Sequence, residues 1–179
     1  MKVLVISDSH RNLNNVEYIL DLVMSKGVRT VLHCGDNIDD ARRLQKLYPE
    51  LEIHAVYGNC DGFGYGEDYT KVVEVGGVSI FMTHGHRYNV KYGDYETLAI
   101  DAAAYDASVA VCGHSHCAHL ERIEGVMTLN PGSISQPRDG CGPSYAILDI
   151  EEGTVRDVAI MQITGNNGIS RHPACERRF

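Results

Sequence analysis

The order of strand-like and helix-like segments in this sequence predicts an α/β fold, with two facing sheets and helices on their outer sides. The chain opens on a short apolar run, residues 2–7, that is rich in β-branched residues and too short for an independent helix. Such a run is typical of a strand buried on both faces. Strand and helix patterns then alternate up to about residue 60, which favours a parallel sheet with right-handed crossovers, whereas strand patterns dominate beyond residue 70.

The first half of the chain contains three predicted strands and two predicted helices. Apolar residues at helical spacing from Val16 to Val23 predict the first helix, which Asn12 or Asn14 would cap and which would end near Gly27. The other elements are a helix over residues 39–47 and strands over residues 2–7, 29–33 and 51–57. The glycine-rich stretch 62–66 lacks the spacing of a dinucleotide-binding loop, so a flexible loop is expected.

The second half of the chain is predicted to consist mainly of strands. Gly76 and Gly77 separate two apolar runs, residues 71–75 and 78–83, and so predict a β-hairpin. An alanine-rich helix is predicted over residues 94–106. Further strands are predicted over residues 108–112, 117–123, 126–129, 144–150 and 155–163, with turns at 124–125 and 152–153 and a loop at 130–133. The locally basic tail, residues 165–179, is expected to be an interface or a floppy end.

Composition and charge narrow the class of protein. The 44% hydrophobic and 22% charged fractions are those of an ordinary globular protein, and residues 1–179 are predicted to form one domain. A formal charge of −8 argues against a nucleic-acid-binding surface. The chain shows neither a signal peptide nor an apolar run of membrane-spanning length. Six cysteines without a CxxC motif therefore predict reduced thiols, no disulfide and a cytoplasmic location.

Side chains that bind metals follow the ends of five predicted strands, where α/β proteins place their chemistry. They are carboxylates, an amide and imidazoles, which are the ligands of borderline-hard divalent ions. The five segments are Asp8-Ser9-His10, Gly35-Asp36, Gly58-Asn59-Cys60-Asp61, Thr83-His84-Gly85-His86 and Gly113-His114-Ser115-His116. The first segment alone could be a helix cap beside a surface histidine. Five such segments in series instead favour a metal centre, in which the glycines let the backbone approach closely.

This ordered series resembles the calcineurin-like metallophosphoesterase superfamily, specifically its small single-domain bacterial and archaeal phosphodiesterase branch. The resemblance runs from Lys2 to about Ile163 and implies a four-layer α/β/β/α sandwich of two facing mixed sheets, in agreement with the reading above. It also implies two divalent ions, expected to be manganese, with iron, cobalt, nickel and zinc as alternatives. One site would comprise Asp8, His10, Asp36 and His116, and the other Asp36, Asn59, His84 and His114, with Asp36 bridging.

The activity that the resemblance implies is hydrolysis of a small phosphate ester, foremost a phosphodiester. Two ions about 3.5–4 Å apart would deprotonate a bridging water, and the hydroxide would attack phosphorus in line. Asn59, Cys60 and His114 are the expected catalytic residues. Cys60 stands where many superfamily members carry a histidine that protonates the leaving group. Because an ordinary thiol has a pKa of about 8.5 and an imidazolium about 6.5, the cysteine should favour activated leaving groups.

Two other functions are compatible with the same fold. A non-enzymatic, protein-binding scaffold would carry a degraded metal site, whereas all seven ligand positions here hold the expected residue types. A metal-dependent nuclease would need a basic groove, which the charge of −8 does not offer. The oligomeric state is left open, with a homodimer or larger homo-oligomer as the working hypothesis.

Overall fold

The computed structural model describes residues 1–62 and 69–176, so most of the predicted loop at 62–66 lies outside the described residues. The helices are α1 (Asn14–Met24), α2 (Ile38–Leu47) and α3 (Glu96–Ala104), with 3-10 helices at Asn89–Tyr92, Gly165–Asn167 and Pro173–Glu176. The strands are β1 (Lys2–Ile6), β2 (Thr30–His33), β3 (Glu52–Ala55), β4 (Thr70–Val75), β5 (Val78–Thr83), β6 (Val109–Val111), β7 (Ala118–Ile123), β8 (Val126–Pro131), β9 (Ser144–Glu151), β10 (Thr154–Thr164) and β11 (Gly168–Arg171).

The described strands form two mixed sheets, as predicted. The first sheet has the order β11-β10-β9-β1-β2-β3, with β1, β2 and β3 parallel and β9 antiparallel to β1. The second sheet has the order β4-β5-β6-β8-β7, with β5, β6 and β8 parallel. Strand β1 therefore lies inside the first sheet, and its carboxyl end opens on the loops that follow β2 and β3.

Alternation of side chains along the strands produces the layers. Val3 and Val5 of β1 belong to the core between the two sheets, whereas Leu4 and Ile6 pack with α1 on the outer face. On the second sheet, Phe81 packs on its outer face with α3. Helices thus cover the outer faces of both sheets, and the predicted four-layer sandwich is confirmed.

Two local predictions are wrong. The predicted Asn12 or Asn14 cap of helix α1 is not formed: Leu13 is the N-cap residue, and no side chain of a described residue caps the helix. The Asn12 side chain instead accepts the Asn14 amide at 3.3 Å in a turn. Strand β8 continues through Asn130 to Pro131 rather than ending at residue 129, since Asn130 pairs with His119 of β7. The predicted loop is therefore reduced to the residues that follow Pro131.

The C-terminal segment is part of the first sheet. Strand β11 pairs antiparallel with β10, with Ile169 opposite Ile163, and the His172 amide donates to the Ile160 carbonyl at 2.9 Å. His172 is only 3% exposed. A floppy end is therefore wrong for the described part of the tail. The segment escaped prediction because this four-residue strand has one large apolar side chain, Ile169, and so shows no apolar pattern.

Candidate metal centre

The loops at the carboxyl ends of the strands bring the predicted ligands together. Asp8, His10, Asp36 and His116 each place one ligand atom within 4.8 Å of the others, and all but His10 are buried. His116 Nε2 lies 3.3 Å from Asp8 Oδ1, and His10 Nε2 lies 3.7 Å from Asp36 Oδ2. These four residues are the predicted first metal site.

The polar atoms of this group fit a cation. Asp8 Oδ1 is buried and accepts no hydrogen bond of acceptable geometry from a described residue. The Nε2 atoms of His10 and His116 face each other at 3.2 Å, where two neutral imidazoles cannot both present protons. A buried, unpaired carboxylate oxygen is costly unless a charge or a metal ion compensates it. The types of ligand and the unpaired Asp8 Oδ1 atom therefore favour a divalent ion.

Asp36 also reaches a second group of predicted ligands. Its Oδ1 lies 3.3 Å from His84 Nε2, and that nitrogen is 3.1 Å from Asn59 Oδ1. The His114 ring lies next to the His84 ring, with 5.2 Å between their centroids. One oxygen of Asp36 thus faces the first group and the other faces the second.

Backbone carbonyls orient two of the imidazoles. His84 Nδ1 is 2.8 Å from the Cys34 carbonyl oxygen, and His116 Nδ1 is 2.6 Å from the Gln136 carbonyl oxygen. A carbonyl can only accept, so each ring carries its proton on Nδ1 and directs the Nε2 lone pair at the carboxylates. This is the tautomer that a metal ligand requires.

The backbone of the site is strained in a way that sequence reasoning missed. Five of the predicted ligands have positive φ, between 47° and 67°: Asp8, His10, Asp36, His114 and His116. Non-glycine residues rarely adopt this region, although Asp, Asn and His tolerate it best. Such strain clusters at functional sites and persists only where surrounding contacts enforce it. The only sequence signal was the repeated Asp and His at strand ends.

Two glycines allow the loops to approach the carboxylates, as predicted. A Cβ atom on Gly58 would lie 2.0 Å from Asp36 Oδ1. A Cβ atom on Gly113 would lie 1.8 Å from Ser7 Oγ and 2.6 Å from Asp8 Oδ2. Any side chain at either position would displace a predicted ligand.

Burial and neighbouring side chains shift the pKa values of several residues of the site. Burial would raise the pKa of Asp8, but the neighbouring His116 and His84 outweigh it and hold that pKa below its ordinary value. Burial likewise opposes the protonated form of His116, yet Asp8 raises the pKa of this imidazole. Burial and the neighbouring His84 lower the pKa of His114 to about 4. His114 is therefore a neutral imidazole near neutral pH.

Residues in and after the last part of β8 support the site. Asn130 Nδ2 donates to the Gly113 carbonyl at 2.7 Å and to Ser115 Oγ at 3.0 Å, which fixes the loop that carries His114. Ser133 and Ser135 both donate their hydroxyls to the Asp8 carbonyl, at 2.9 Å and 2.8 Å. These bonds hold two predicted ligand loops in place from the far side.

A buried network beneath the ligands was not predicted. Ser9 Oγ donates to Asp40 Oδ2 at 2.7 Å and lies 3.0 Å from His33 Nε2, and the same carboxylate oxygen accepts the Arg11 amide. His33 is thereby joined to Asp40 through the Ser9 hydroxyl. Asp40 gave no signal in the sequence beyond its place in the first turn of α2.

Cys60 and Asp61 lie beside Asp36. The exposed Cys60 donates its amide to Asp36 Oδ1 at 2.9 Å, and partial desolvation together with Asp36 raises the pKa of its thiol to about 11. Asp61 accepts the amides of Ile38 and Gly58, both at 2.7 Å. It therefore caps the start of α2 and the turn that runs from Gly58 to Asp61.

A cavity of about 300 Å³ lies next to Asp61. It is lined by Gly58, Asn59, Asp61, Gly62, Tyr69, His86 and Arg87.

Comparison with known proteins decides the family. Residues 1–153 match the sequence profile of the calcineurin-like phosphoesterase superfamily domain. The chain belongs to this superfamily. A probable metallophosphoesterase of Bacillus subtilis is 38% identical over 162 residues, covering 87% of this chain and 89% of that protein. A phosphodiesterase of Methanocaldococcus jannaschii is 29% identical over 176 residues, covering 89% and 99%.

Solved structures agree with the fold of this calcineurin-like phosphoesterase. A Streptococcus pneumoniae protein named as a predicted phosphoesterase superposes with a TM-score of 0.72 at 29% identity, covering 96% of this chain and 97% of that one. Vps29 of Entamoeba histolytica, solved in complex with zinc, superposes with a TM-score of 0.73 at 27% identity, with the same coverage. Among the described residues, no helix has the length and apolar character needed to cross a membrane.

Proposed function

We propose that this calcineurin-like phosphoesterase is a dinuclear, metal-dependent phosphodiesterase that hydrolyses a small phosphate ester. The observation that carries the proposal is the position of Asp36, whose two carboxylate oxygens face two separate groups of ligands. A carboxylate in this position can bridge two ions. The name of the archaeal relative, a phosphodiesterase, supports the same reaction class.

The residues divide into two sets that share Asp36. Asp8, His10 and His116 would complete the first site, and the contacts among them support this assignment. Asn59, His84 and His114 would complete the second. Manganese is our expectation for both ions, since carboxylate and amide oxygens suit it, whereas the imidazoles keep iron, nickel and zinc as alternatives.

Two divalent ions bound there would lower the pKa of a water held between them and stabilise charge on the phosphate oxygens. The protein itself fixes the orientation of the ligands. The Cys34 and Gln136 carbonyls hold His84 and His116 in the ligating tautomer. His114 is neutral, so it can donate one hydrogen bond to a substrate oxygen without carrying a charge.

The cavity beside Asn59 is the proposed position of the ester group. The Arg87 guanidinium stacks 4.3 Å from the centroid of the Tyr69 ring at the wall of this cavity and brings a positive charge close to the site. An anionic substrate would be attracted by it. The exposed Cys60 thiol accepts a hydrogen bond from Asn59 Nδ2 at 3.4 Å, and we place the leaving group next to it. A cytoplasmic location and a homo-oligomeric assembly belong to the proposal as predictions.

The test is an assay of metal-stripped protein against a panel of phosphate mono- and diesters. Manganese, iron, cobalt, nickel and zinc are added back one at a time. Metal-dependent turnover of aryl diesters that exceeds turnover of the matched monoesters is expected. The Asp36→Asn variant is the matched control, because it keeps the side-chain volume but weakens both sites at once.

The same assay separates the alternatives. The non-enzymatic, protein-binding scaffold that the sequence left open is the second candidate. Two bound ions without hydrolysis of any ester would favour the scaffold and contradict the proposal. Turnover of DNA or RNA in preference to small diesters would identify a nuclease, against the expectation from the acidic charge.

A further inference from the structure

A second group of metal-ligand side chains lies outside the centre described above. Asp139, Cys141 and His172 each offer one ligand atom, and these atoms all lie within 4.8 Å of one another. Asp139 and Cys141 belong to the segment between β8 and β9, whereas His172 directly follows β11. We propose that these three residues form a separate, mononuclear metal site that prefers zinc.

His172 is the observation that points to a ligand. Its side chain is 4% exposed, and its Nε2 atom is buried without a hydrogen-bond partner among residues 1–62 and 69–176. That atom faces Asp139 Oδ2 at 3.2 Å, but without the geometry of a hydrogen bond. A buried imidazole nitrogen that lacks a partner is costly, and a metal ion would satisfy it.

Asp139 is already anchored for such a role. Its Oδ2 accepts the Ala118 amide at 2.8 Å, and its Oδ1 accepts the Cys141 amide at 3.1 Å. Each carboxylate oxygen has two lone-pair directions, so a free one remains on both oxygens. The amides hold the carboxylate in the position that an ion would require.

The chemistry of the three ligands selects the ion. Carboxylate, thiolate and imidazole are all zinc ligands, at about 2.0–2.3 Å, and zinc accepts them in a tetrahedron whose fourth position a water can fill. Tetrahedral ligands at that distance are about 3.3–3.8 Å apart, so no pair of ligand atoms needs to close by more than roughly 1.5 Å. A thiolate is a poor ligand for magnesium, calcium and manganese, which distinguishes this group from the all-oxygen-and-nitrogen centre around Asp36.

Ion binding has two identifiable costs. His172 Nδ1 accepts the Ala174 amide at 3.1 Å, which places the ring proton on Nε2 in the neutral, metal-free ring. An ion on Nε2 requires the other tautomer, so this backbone hydrogen bond must break. The thiol of Cys141 must also release its proton, so metal affinity should rise with pH.

The position of the group suggests what an ion would do. A bound ion would link the segment before β9 to the end of β11. It would thus stabilise the packing of β11 against the rest of the sheet. The same segment contains Gln136 and Arg138, whose backbone atoms bond the His116 ring and carbonyl. The ion would therefore stabilise the segment that orients one of the proposed catalytic ligands.

Cobalt is the probe that tests the site, because a cobalt–thiolate bond gives a near-ultraviolet charge-transfer band that oxygen and nitrogen ligands do not. Cobalt titrated into metal-stripped, reduced protein should produce this band, and zinc should abolish it by displacement. Cys141→Ser should remove the band. Asp139→Asn and His172→Gln should each lower the cobalt affinity, measured from the growth of this band, by at least about tenfold. Even the loss of an outer partner of a ligand lowers metal affinity by that factor.

Cys60→Ser is the matched control, because Cys60 lies beside the other centre. The band should persist in this variant. Absence of a band in the wild-type protein, its survival in Cys141→Ser, or its loss in Cys60→Ser would each overturn the proposal. None of these readouts depends on phosphoesterase activity, so the proposed function and this site fail independently.

Alkylation of the wild-type protein provides a measurement that needs no variant. Zinc should protect the peptide containing Cys141 from a thiol reagent, as mapped by mass spectrometry, and chelation should restore its reactivity. Cys141 alkylation at the same rate with and without zinc would contradict the proposal even if the substitutions prevented folding.

Discussion

Asp36 connects the backbone conformation of the site to its chemistry. Its φ of 57° turns the carboxylate away from the direction of β2 and places it between His10 and His84. Gly58 leaves room for that carboxylate, and the Cys60 amide donates to one of its oxygens. A single side chain is thereby held in contact with both proposed metal sites.

Asp36→Asn should therefore cost more activity than loss of a ligand that serves one site. The amide is a weaker metal ligand than the carboxylate and carries no charge for either ion. We expect kcat/KM to fall by more than about 100-fold, the upper end for loss of an outer partner. His10→Asn is the comparison, measured at saturating manganese together with the number of bound ions. A smaller loss in Asp36→Asn than in His10→Asn would contradict a bridging role.

Cys60 should limit hydrolysis to esters with good leaving groups. In the metal-free protein partial burial and Asp36 raise the pKa of this thiol to about 11, and even an ordinary thiol is a weaker acid than an imidazolium, so Cys60 gives little help to a strongly basic alkoxide. An aryl leaving group departs as a weak base and needs little protonation. Diesters are favoured further, because they carry less negative charge than monoester dianions and repel a hydroxide less.

Cys60→His should restore protonation and raise kcat/KM most for alkyl esters, by up to about 100-fold. Cys60→Ala is the matched control, which removes the thiol without adding a donor and should not help. The measurement is kcat/KM for matched aryl and alkyl diesters in all three proteins. An equal gain for both esters would show that residue 60 is not at the proton-donor position.

Gly113 tests how closely the loops must approach. In Gly113→Ala the new methyl group meets Ser7 Oγ and Asp8 Oδ2, both well inside contact distance. We expect a loss of about 1–3 kcal/mol in the free energy of unfolding and weaker metal binding. Gly165→Ala is the control, because a Cβ there meets no atom of the described residues within 4 Å. Equal stability of the two variants would refute the steric argument.

At the scale of elements, β1 organises the molecule. Its two faces supply both the core between the sheets and the layer under α1, and its carboxyl end presents Asp8 and His10. It lies between β9 and β2, so residues distant in sequence meet beside its end. This explains how a five-residue strand can position a site whose parts are more than 100 residues apart.

The strand β11 can be tested without a variant. If it pairs with β10 in solution, the His172 amide, which donates to the Ile160 carbonyl, should exchange slowly with deuterium. The exposed turn at residues 124–125 provides a fast-exchanging reference. Exchange of the segment 168–172 as fast as this turn would mean that the tail is free, as one of the sequence-based alternatives had it.

Elements with a clear period could be predicted from sequence, and contacts made by polar side chains could not. Alternating or continuous apolar runs located β1 and the hairpin at Gly76, and five strand ends located the ligands. The positive φ of His10 depends on tertiary contacts and has no local pattern. The partnership of Ser9 with Asp40 likewise depends on two loops meeting in space, which no spacing in the sequence records.

At the scale of the whole molecule, all six cysteines are free thiols in the structure, and two of them, Cys34 and Cys112, are fully buried. The core is therefore built by packing of the two sheets and their helices rather than by cross-links. The melting temperature should be the same with and without a reductant. A fall of many degrees on reduction would indicate a disulfide that stabilises the native state.

The last prediction concerns metal ions, protons and stability together. In the metal-free protein, the raised pKa of His116 means that its protonated form stabilises the fold below about pH 6.5 and that this contribution is lost as pH rises through that pKa. The lowered pKa of Asp8 contributes above about pH 4 and is lost at lower pH. A metal ion needs the imidazole neutral, so it competes with this proton.

Manganese should therefore stabilise the protein more at about pH 8 than at about pH 6. At a concentration 100 times its dissociation constant, one ion contributes about 2.7 kcal/mol, or roughly 5–10 °C in melting temperature for a chain of this size. Thermal denaturation with and without manganese at both pH values measures the effect, and Asp36→Asn should abolish most of it. A larger gain at the lower pH would mean that the ion does not displace the His116 proton and binds elsewhere.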